Sequence, residues 1–305
     1  MRVGIFGTGA IGSLLAFKLA RTGNKPFIYS RGESLLAIQE RGIIVHSQES
    51  IHVLTPIEYS ILDSEQILDI AIICCKQNSV SELVMIAEKQ LASDGFVIAI
   101  QNGLGHLNRI ASVVGKGRVI GACLTHGSNR IGPVEIRLGG EGKIVIGPLD
   151  SEKFSVRSGL YDKMIEMLDM AKLSPEPVAD ILPSIWEKLL LNLAINPISA
   201  ICGVRNGILL SSPLNELATS VMREGAVVAE YEGINIDFEK LEDSLNRVLQ
   251  ATAENRCSML QDVMHGVPTE VDWICGAIVE KAEAHGIPVP RTQTLWDLVR
   301  GLSTN

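Results

Sequence analysis

The sequence predicts an α/β domain, a parallel sheet wound with helices on both faces, followed by an all-helical domain. Three observations carry that expectation. Short β-branched runs alternate with helix-periodic runs through the first half of the chain, the pattern of a doubly wound parallel sheet. The strand runs, "DIAIICC" (69–75) above all, are almost continuously apolar, as strands buried on both faces must be. From about residue 152 onward, long helical patterns take over.

Taken in order, "RVGIF" (2–6) is a first strand, followed by a glycine-rich turn and the helical run "AIGSLLAFKLARTG". Gly23 suits the end of that helix, because glycine adopts the left-handed conformation a C-cap needs. "PFIYS" (26–30), "DIAIICC", "GFVIAI" (95–100) and "RVIGACL" (118–124) are further strands, with helices at about 78–92 and 105–113. "GPVEIRLGG" and "GKIVIGPLD" read as a hairpin closing the first domain. The boundary is expected near 178. The first domain is then 1–178 and the helical one 179–305. In the latter, "PSIWEKLLLNLAINPISAICG", "PLNELATSVMREGAVVAEYEG" and "FEKLEDSLNRVLQATAENRCSMLQDV" are helical runs. "PTEVDWICGAIVEKAEAHG" is expected to start at Pro268, a residue suited to the first helical position, and to stop at Gly286.

The totals limit the function. The chain has 305 residues, of which 46% are hydrophobic and 20% charged, with a net charge of −8. That is room for two cored domains. Without a dense Lys/Arg run, nucleic acid and anionic membrane are poor partners. The six cysteines are scattered and no C-x-x-C occurs, which points to reduced thiols in the cytoplasm and away from a cysteine metal site. The apolar N-terminus is broken by glycines and lacks a clear cleavage site, so it does not read as a signal peptide. No run reaches the roughly 18 uninterrupted apolar residues of a membrane span.

"FGTGAIG" holds Gly7, Gly9 and Gly12. In the G-x-G-x-x-G pattern the glycines serve a tight turn, close approach of backbone to a pyrophosphate, and tight strand–helix packing. Placed after a strand and before a helix, the pattern predicts a Rossmann-type dinucleotide site formed by Gly7, Thr8, Gly9, Ala10, Ile11 and Gly12, with phosphate on the helix N-terminus. The second strand ends in "IYSRGE". An NAD-selecting enzyme usually has a carboxylate there for the ribose 2′-hydroxyl. Here Arg31 offers a guanidinium suited to a 2′-phosphate, so NADPH is the expected cofactor, although Glu33 lies close by.

Ligands of open α/β sheets bind at the carboxyl ends of the strands. Lys76 follows "DIAIICC", Asn102 lies in "QNGLG" after "GFVIAI", and Ser128 lies in "LTHGSN" after another strand. Lys76 and Asn102 are expected toward the nicotinamide end of the cofactor, and Ser128 against the cofactor. In "WEKLLLNLAINP" (186–197), Lys188, Asn192 and Asn196 recur every four residues. On a helix they share one face, in a run otherwise rich in Leu and Ile. Two unpaired buried amides would each cost about 1–3 kcal/mol, so this face is expected to line a substrate cleft. An ammonium there can stabilise charge growing on a ketone oxygen and then deliver a proton.

These residues resemble one family along nearly the whole chain, the ketopantoate reductases. The resemblance rests on "GTGAIGS", "CCKQ", "QNGLG", "LTHGSNR", "WEKLLLNLAINPISAI", "RNG", "ATAENRCSMLQDV", "TEVDWICG" and "AHGIPVP". It implies NADPH-dependent reduction of 2-dehydropantoate to (R)-pantoate, for pantothenate and coenzyme A synthesis. It implies Lys188 as proton donor, Asn192, Asn196, Asn206 and Ser258 on the substrate, and Asn102 between cofactor and substrate. Lys76, Ser128 and Glu270 fall on cofactor-side positions and Arg31 on the 2′-phosphate contact. Cys257 stands where a serine is common, and "QNS" after Lys76 and "MHGVP" before Thr269 are less familiar versions that bear on substrate tolerance.

Ser258 follows Asn255 by three residues in what reads as one helix, so both are expected on one side. Two alternatives stay open. One is an NADPH-dependent reductase of another small 2-keto acid. The other is a sensor that binds NADPH without chemistry. The apolar helices of the second domain leave a homodimer open.

Overall fold

The computed structural model describes residues 1–154 and 159–302. The chain forms two compact units. One comprises Met1–Gln101 and His106–Ile181, the other Asn102–Gly105 and the chain from Leu182 onward.

The first unit runs β1 (Val3–Phe6), α1 (Ala10–Ala20), β2 (Phe27–Tyr29), α2 (Gly32–Arg41), β3 (Ile43–His46), β4 (Ile51–Leu54), β5 (Ser60–Ile61), β6 (Leu68–Ile73), α3 (Val80–Gln90), β7 (Leu91–Ala99), α4 (His106–Val114), β8 (Val119–Leu124), β9 (Ser128–Gly132), β10 (Glu135–Leu138), β11 (Ile144–Pro148), α5 (Leu160–Met170) and β12 (Pro175–Pro177). The main sheet has the order β12-β11-β8-β7-β6-β1-β2-β5. It is parallel from β8 through β5, with β11 antiparallel to β8. Ile5, Ile70, Phe96 and Ile120 are fully buried along its strands, which accounts for the uninterrupted apolar runs. The chain leaves β1 toward β2 and later returns to the other side of β1 at β6. That reversal is where open α/β sheets bind ligands.

A second sheet, β4-β3-β10-β9, completes the unit, and nothing in the sequence reading anticipated it. It also corrects the expected hairpin. β10 pairs with β9 and β3, whereas β11 pairs with β8 in the other sheet. The tight turn at Pro133 closes β10 onto β9. The Gly139 N–H donates to the Gly127 carbonyl and the Gly127 N–H donates to the Gly140 carbonyl, and the chain then leads away from β10.

The second unit contains α6 (Leu182–Cys202), α7 (Leu214–Tyr231), α8 (Phe238–Ala251), α9 (Ser258–Met264), α10 (Ala277–His285) and α11 (Pro290–Leu302). α6 is its spine. Leu189, Leu190 and Leu193 pack with Val221, Met222, Leu245, Ile278 and Val299 in one core. Among the described residues, α6 alone is long and apolar enough to cross a membrane, yet 67% of its most apolar stretch is buried within the protein.

Two helical expectations are corrected. The run 238–263 breaks after Ala251, and Cys257 caps a new helix with its sulfur accepting from the Leu260 N–H at 3.3 Å. Asn255 therefore lies outside α9 and does not share a helical face with Ser258. Pro268 is not the first helical residue either. A π-helical turn at Asp272–Gly276 precedes α10, and the Glu270 carbonyl accepts from the N–H groups of Trp273 and Ile274. Gly286 ends α10 in the left-handed conformation (φ +68°), as its position predicts, whereas α1 is capped at Arg21 and Gly23 (φ +80°) follows two residues later in the turn.

Candidate active site

The glycine turn between β1 and α1 divides its tasks as the spacing requires. Gly7 adopts φ +103°, and a Cβ there would sit 3.1 Å from the Cys75 nitrogen. A Cβ on Gly12 would lie 1.8 Å from the Gly7 carbonyl oxygen, so only glycine lets α1 start this close to the strand. Gly9 is different: a Cβ there would meet nothing within 4 Å. Its missing side chain leaves room in front of a helix whose first turn has neither a side-chain cap nor an acidic residue. Half-buried Ala10 and Ile11 form that first turn, and Ser128 donates its hydroxyl to the Ala10 carbonyl at 3.1 Å. Thr8 is 5% exposed and shares a 2.7 Å hydrogen bond with Ser30 at the end of β2. The cradle at Gly9 and the uncapped N–H groups fit a dinucleotide pyrophosphate.

Arg31 is the N-cap residue of α2. Its guanidinium pairs with the Glu82 carboxylate and donates to the Ser79 hydroxyl at 3.3 Å. The Glu82 hydrogen bond raises the Arg31 pKa above its ordinary value. Glu33 is exposed in the first turn of α2. Lys76 is exposed and precedes a short 3₁₀ turn.

Sequence reasoning missed what holds that turn. Gln77 is fully buried. Its amide shares a 3.1 Å hydrogen bond with His106 Nδ1, and Arg109 donates to its backbone carbonyl at 3.1 Å. Gln101 was also passed over. Its amide nitrogen donates to the carbonyls of Ile73 at 2.7 Å and Cys75 at 3.2 Å, tying the end of β7 to the end of β6. A polar residue closing an apolar strand was the available signal.

In the helical unit, Lys188 and Asn192 are half-buried and Asn196 is 5% exposed, with Leu189, Leu190, Leu193 and Ile195 buried beside them on α6. α9 lies against α6, and the Cys257 thiol donates to the Asn196 backbone carbonyl at 3.6 Å. Burial pushes that thiol up to about 11, so it stays protonated and serves as cap and donor at once. Ser258, the next residue, is exposed at the first position of α9.

Asn102 donates to the Glu270 carboxylate at 3.2 Å, bringing together two residues 168 positions apart. The link is built by backbone: Gly103 (φ +80°) lies so close to the Trp273 carbonyl that a Cβ would be 2.2 Å from it, and Leu104 donates its N–H to that carbonyl at 3.1 Å. Asn206 opens the short 3₁₀ turn Asn206–Leu210. Its amide donates to the Thr252 hydroxyl at 2.9 Å, and its buried side-chain oxygen has no partner among the described residues. The predicted cofactor residues thus lie in the first unit, except Asn102 and Glu270, and the predicted substrate residues lie in the second.

Two family models match the chain. Residues 3–151 match "Ketopantoate reductase PanE/ApbA" and residues 180–303 match "Ketopantoate reductase PanE/ApbA C terminal". The chain belongs to the ketopantoate reductase family. The similarity to ketopantoate reductases runs end to end. A 2-dehydropantoate 2-reductase of Pyrococcus abyssi is 33% identical over 304 residues, spanning 99% of this chain and 97% of that protein. One from Archaeoglobus fulgidus is 34% identical over 305 residues, spanning 99% and 98%. The crystal structure of a family ketopantoate reductase from Ralstonia eutropha superposes with a TM-score of 0.87 at 26% identity, covering 100% of this chain and 99% of that one. D-mandelate dehydrogenase, solved with NADH and anilino(oxo)acetate, shares the fold at a TM-score of 0.92 and 23% identity, with 100% and 99% covered.

Proposed function

We propose that this chain is a 2-dehydropantoate 2-reductase that uses NADPH to reduce the ketone of 2-dehydropantoate to (R)-pantoate, in the cytoplasm. One observation carries the reading: an amine and two amides form a single polar row on the apolar spine helix of a ketopantoate reductase fold. Arg31 at the end of β2 supports NADPH over NADH, and the six free thiols support a reducing compartment.

When bound, the nicotinamide supplies a hydride to the ketone carbon. The protein supplies the rest. Hydride arrival builds negative charge on the carbonyl oxygen, and the Lys188 ammonium stabilises that charge and gives it a proton, leaving a neutral amine and a hydroxy acid. Asn192 and Asn196, one and two turns on, hydrogen-bond the substrate's hydroxyl and carboxylate. Asn206 and Ser258 hold the same ligand. Glu270, bonded to Asn102, orients that amide between cofactor and substrate. Lys76 and Ser128 complete the cofactor side.

The test is NADPH oxidation with 2-dehydropantoate, run beside NADH and a panel of small 2-keto acids. The expected result is the highest kcat/KM for 2-dehydropantoate with NADPH. Another keto acid preferred by orders of magnitude would replace the substrate, and no turnover with any would leave a cofactor-binding sensor. A ketopantoate reductase from Staphylococcus aureus described as dimeric shares this fold at a TM-score of 0.83. We extend that state to this chain as a homodimer, to be checked by sedimentation.

A further inference from the structure

The Arg31–Glu82 pair is more than a surface ion pair. Arg31 follows β2 and Glu82 lies in the first turn of α3, which follows β6. β2 and β6 are the two neighbours of β1, so the pair reaches across the carboxyl end of the strand that leads into the glycine turn. Ser79, just before α3, binds the same guanidinium at 3.3 Å. Both charged side chains are 53% exposed, so each is open to a ligand as well as to the other.

The two charges favour different ligands. A 2′-phosphate carries nearly two negative charges and is drawn to a guanidinium, while a carboxylate beside it repels it. A bare ribose 2′-hydroxyl instead donates to a carboxylate, the usual NAD-selecting contact at the end of β2. Here the carboxylate comes from α3 and is already joined to the arginine.

We propose that Glu82 is a specificity-determining residue that weakens the preference for the 2′-phosphorylated cofactor, by competing for Arg31 and by repelling the phosphate, while keeping an acceptor for an unphosphorylated ribose. This rests on the NADPH reading above and deepens it. The outcome is an enzyme that prefers NADPH by a modest factor and still uses NADH.

Equilibrium binding to the full-length protein tests this with two fragments of the cofactor, 2′,5′-ADP and 5′-ADP, at fixed low salt, since exposed pairs are screened. The readout is the ratio of their affinities, because a general folding defect lowers both together. Glu82→Gln should raise the ratio of 2′,5′-ADP to 5′-ADP affinity about fivefold, the range of an exposed ion pair. Arg31→Gln should lower it by at least as much. The kcat/KM ratio for NADPH over NADH should move in parallel. If Arg31→Gln lowers the ratio but Glu82→Gln leaves it unchanged, the role of Glu82 is overturned and NADPH stands. If Arg31→Gln also leaves it unchanged, the NADPH reading falls and Glu82's role with it.

Discussion

Gly9 and Gly12 are three residues apart, and their substitutions should fail in opposite ways. An alanine at 12 drives its methyl into the Gly7 carbonyl oxygen, 1.8 Å away. Gly12→Ala should cost about 2–3 kcal/mol of stability, seen as a lowered Tm without any ligand. An alanine at 9 meets no protein atom within 4 Å. Gly9→Ala should keep its unliganded stability within about 0.5 kcal/mol, yet bind NADPH at least about tenfold more weakly. A folded Gly9→Ala protein with full affinity would move the pyrophosphate elsewhere.

Lys188 has the complementary signature. Lys188→Ala should lower kcat/KM for 2-dehydropantoate by about 10²- to 10⁴-fold, the usual worth of positioned acid catalysis, and leave NADPH affinity unchanged. Undiminished turnover would remove this amine from the chemistry. At this scale the sequence was informative wherever a residue broke its local pattern. Arg31 stands where a carboxylate is usual, and Lys188 interrupts an oily helix. Glu82 and Gln77 were invisible because each looks like an ordinary surface polar residue until the fold supplies its partner, while Gln101 carried a signal in closing an apolar strand.

Among the elements, the helix ends show how a few polar contacts hold this architecture. Glu232, just after α7, receives hydrogen bonds from Lys281 and His285 of α10, the latter at 2.9 Å. Burial alone would raise its pKa, but the Lys281 and His285 contacts outweigh burial and hold it below the ordinary carboxylate value. A carboxyl whose folded pKa is depressed stabilises the fold above its unfolded pKa, and that stabilisation is lost as pH falls through the folded value. The unfolding free energy should therefore decline from about pH 5 to about pH 3, and Glu232→Gln should flatten that slope while costing about 1 kcal/mol at neutral pH. Urea titrations across that range provide the check, and an unchanged slope in the variant would exclude this carboxylate as the source. The large elements were legible because their patterns are local: continuous apolar strands, and a helix closed by Gly286. The β4-β3-β10-β9 sheet was not. Its strands have four or five residues, Ile51 and Val53 of β4 are exposed, and its decisive pairing joins Ile44 to Glu135, a match no local window contains.

For the whole molecule, two large buried hydrophobic clusters stand out among the described residues, one in each unit. The glycine turn and Arg31 belong to the first. NADP⁺ at about one hundred times its Kd should add about 2.7 kcal/mol to whatever unfolds with that core. Calorimetry should show the transition of the first core displaced upward. A scan unaffected by saturating nucleotide would place the cofactor outside this fold's usual crevice.

The excursion of Asn102–Gly105 has a consequence for how this chain can be taken apart. Because four residues leave the sheet-bearing half, lodge under Trp273 and return at His106, the backbone passes between the halves three times: at 101/102, at 105/106 and at 181/182. A single protease nick after Ile181 would not release either piece. A gene fragment beginning at Leu182 would lack the tetrapeptide that covers the Trp273 carbonyl and supplies Asn102. A chain that starts at Leu182 should therefore unfold at a lower Tm than the same helices in the full-length protein, because the Trp273 carbonyl loses the Leu104 N–H.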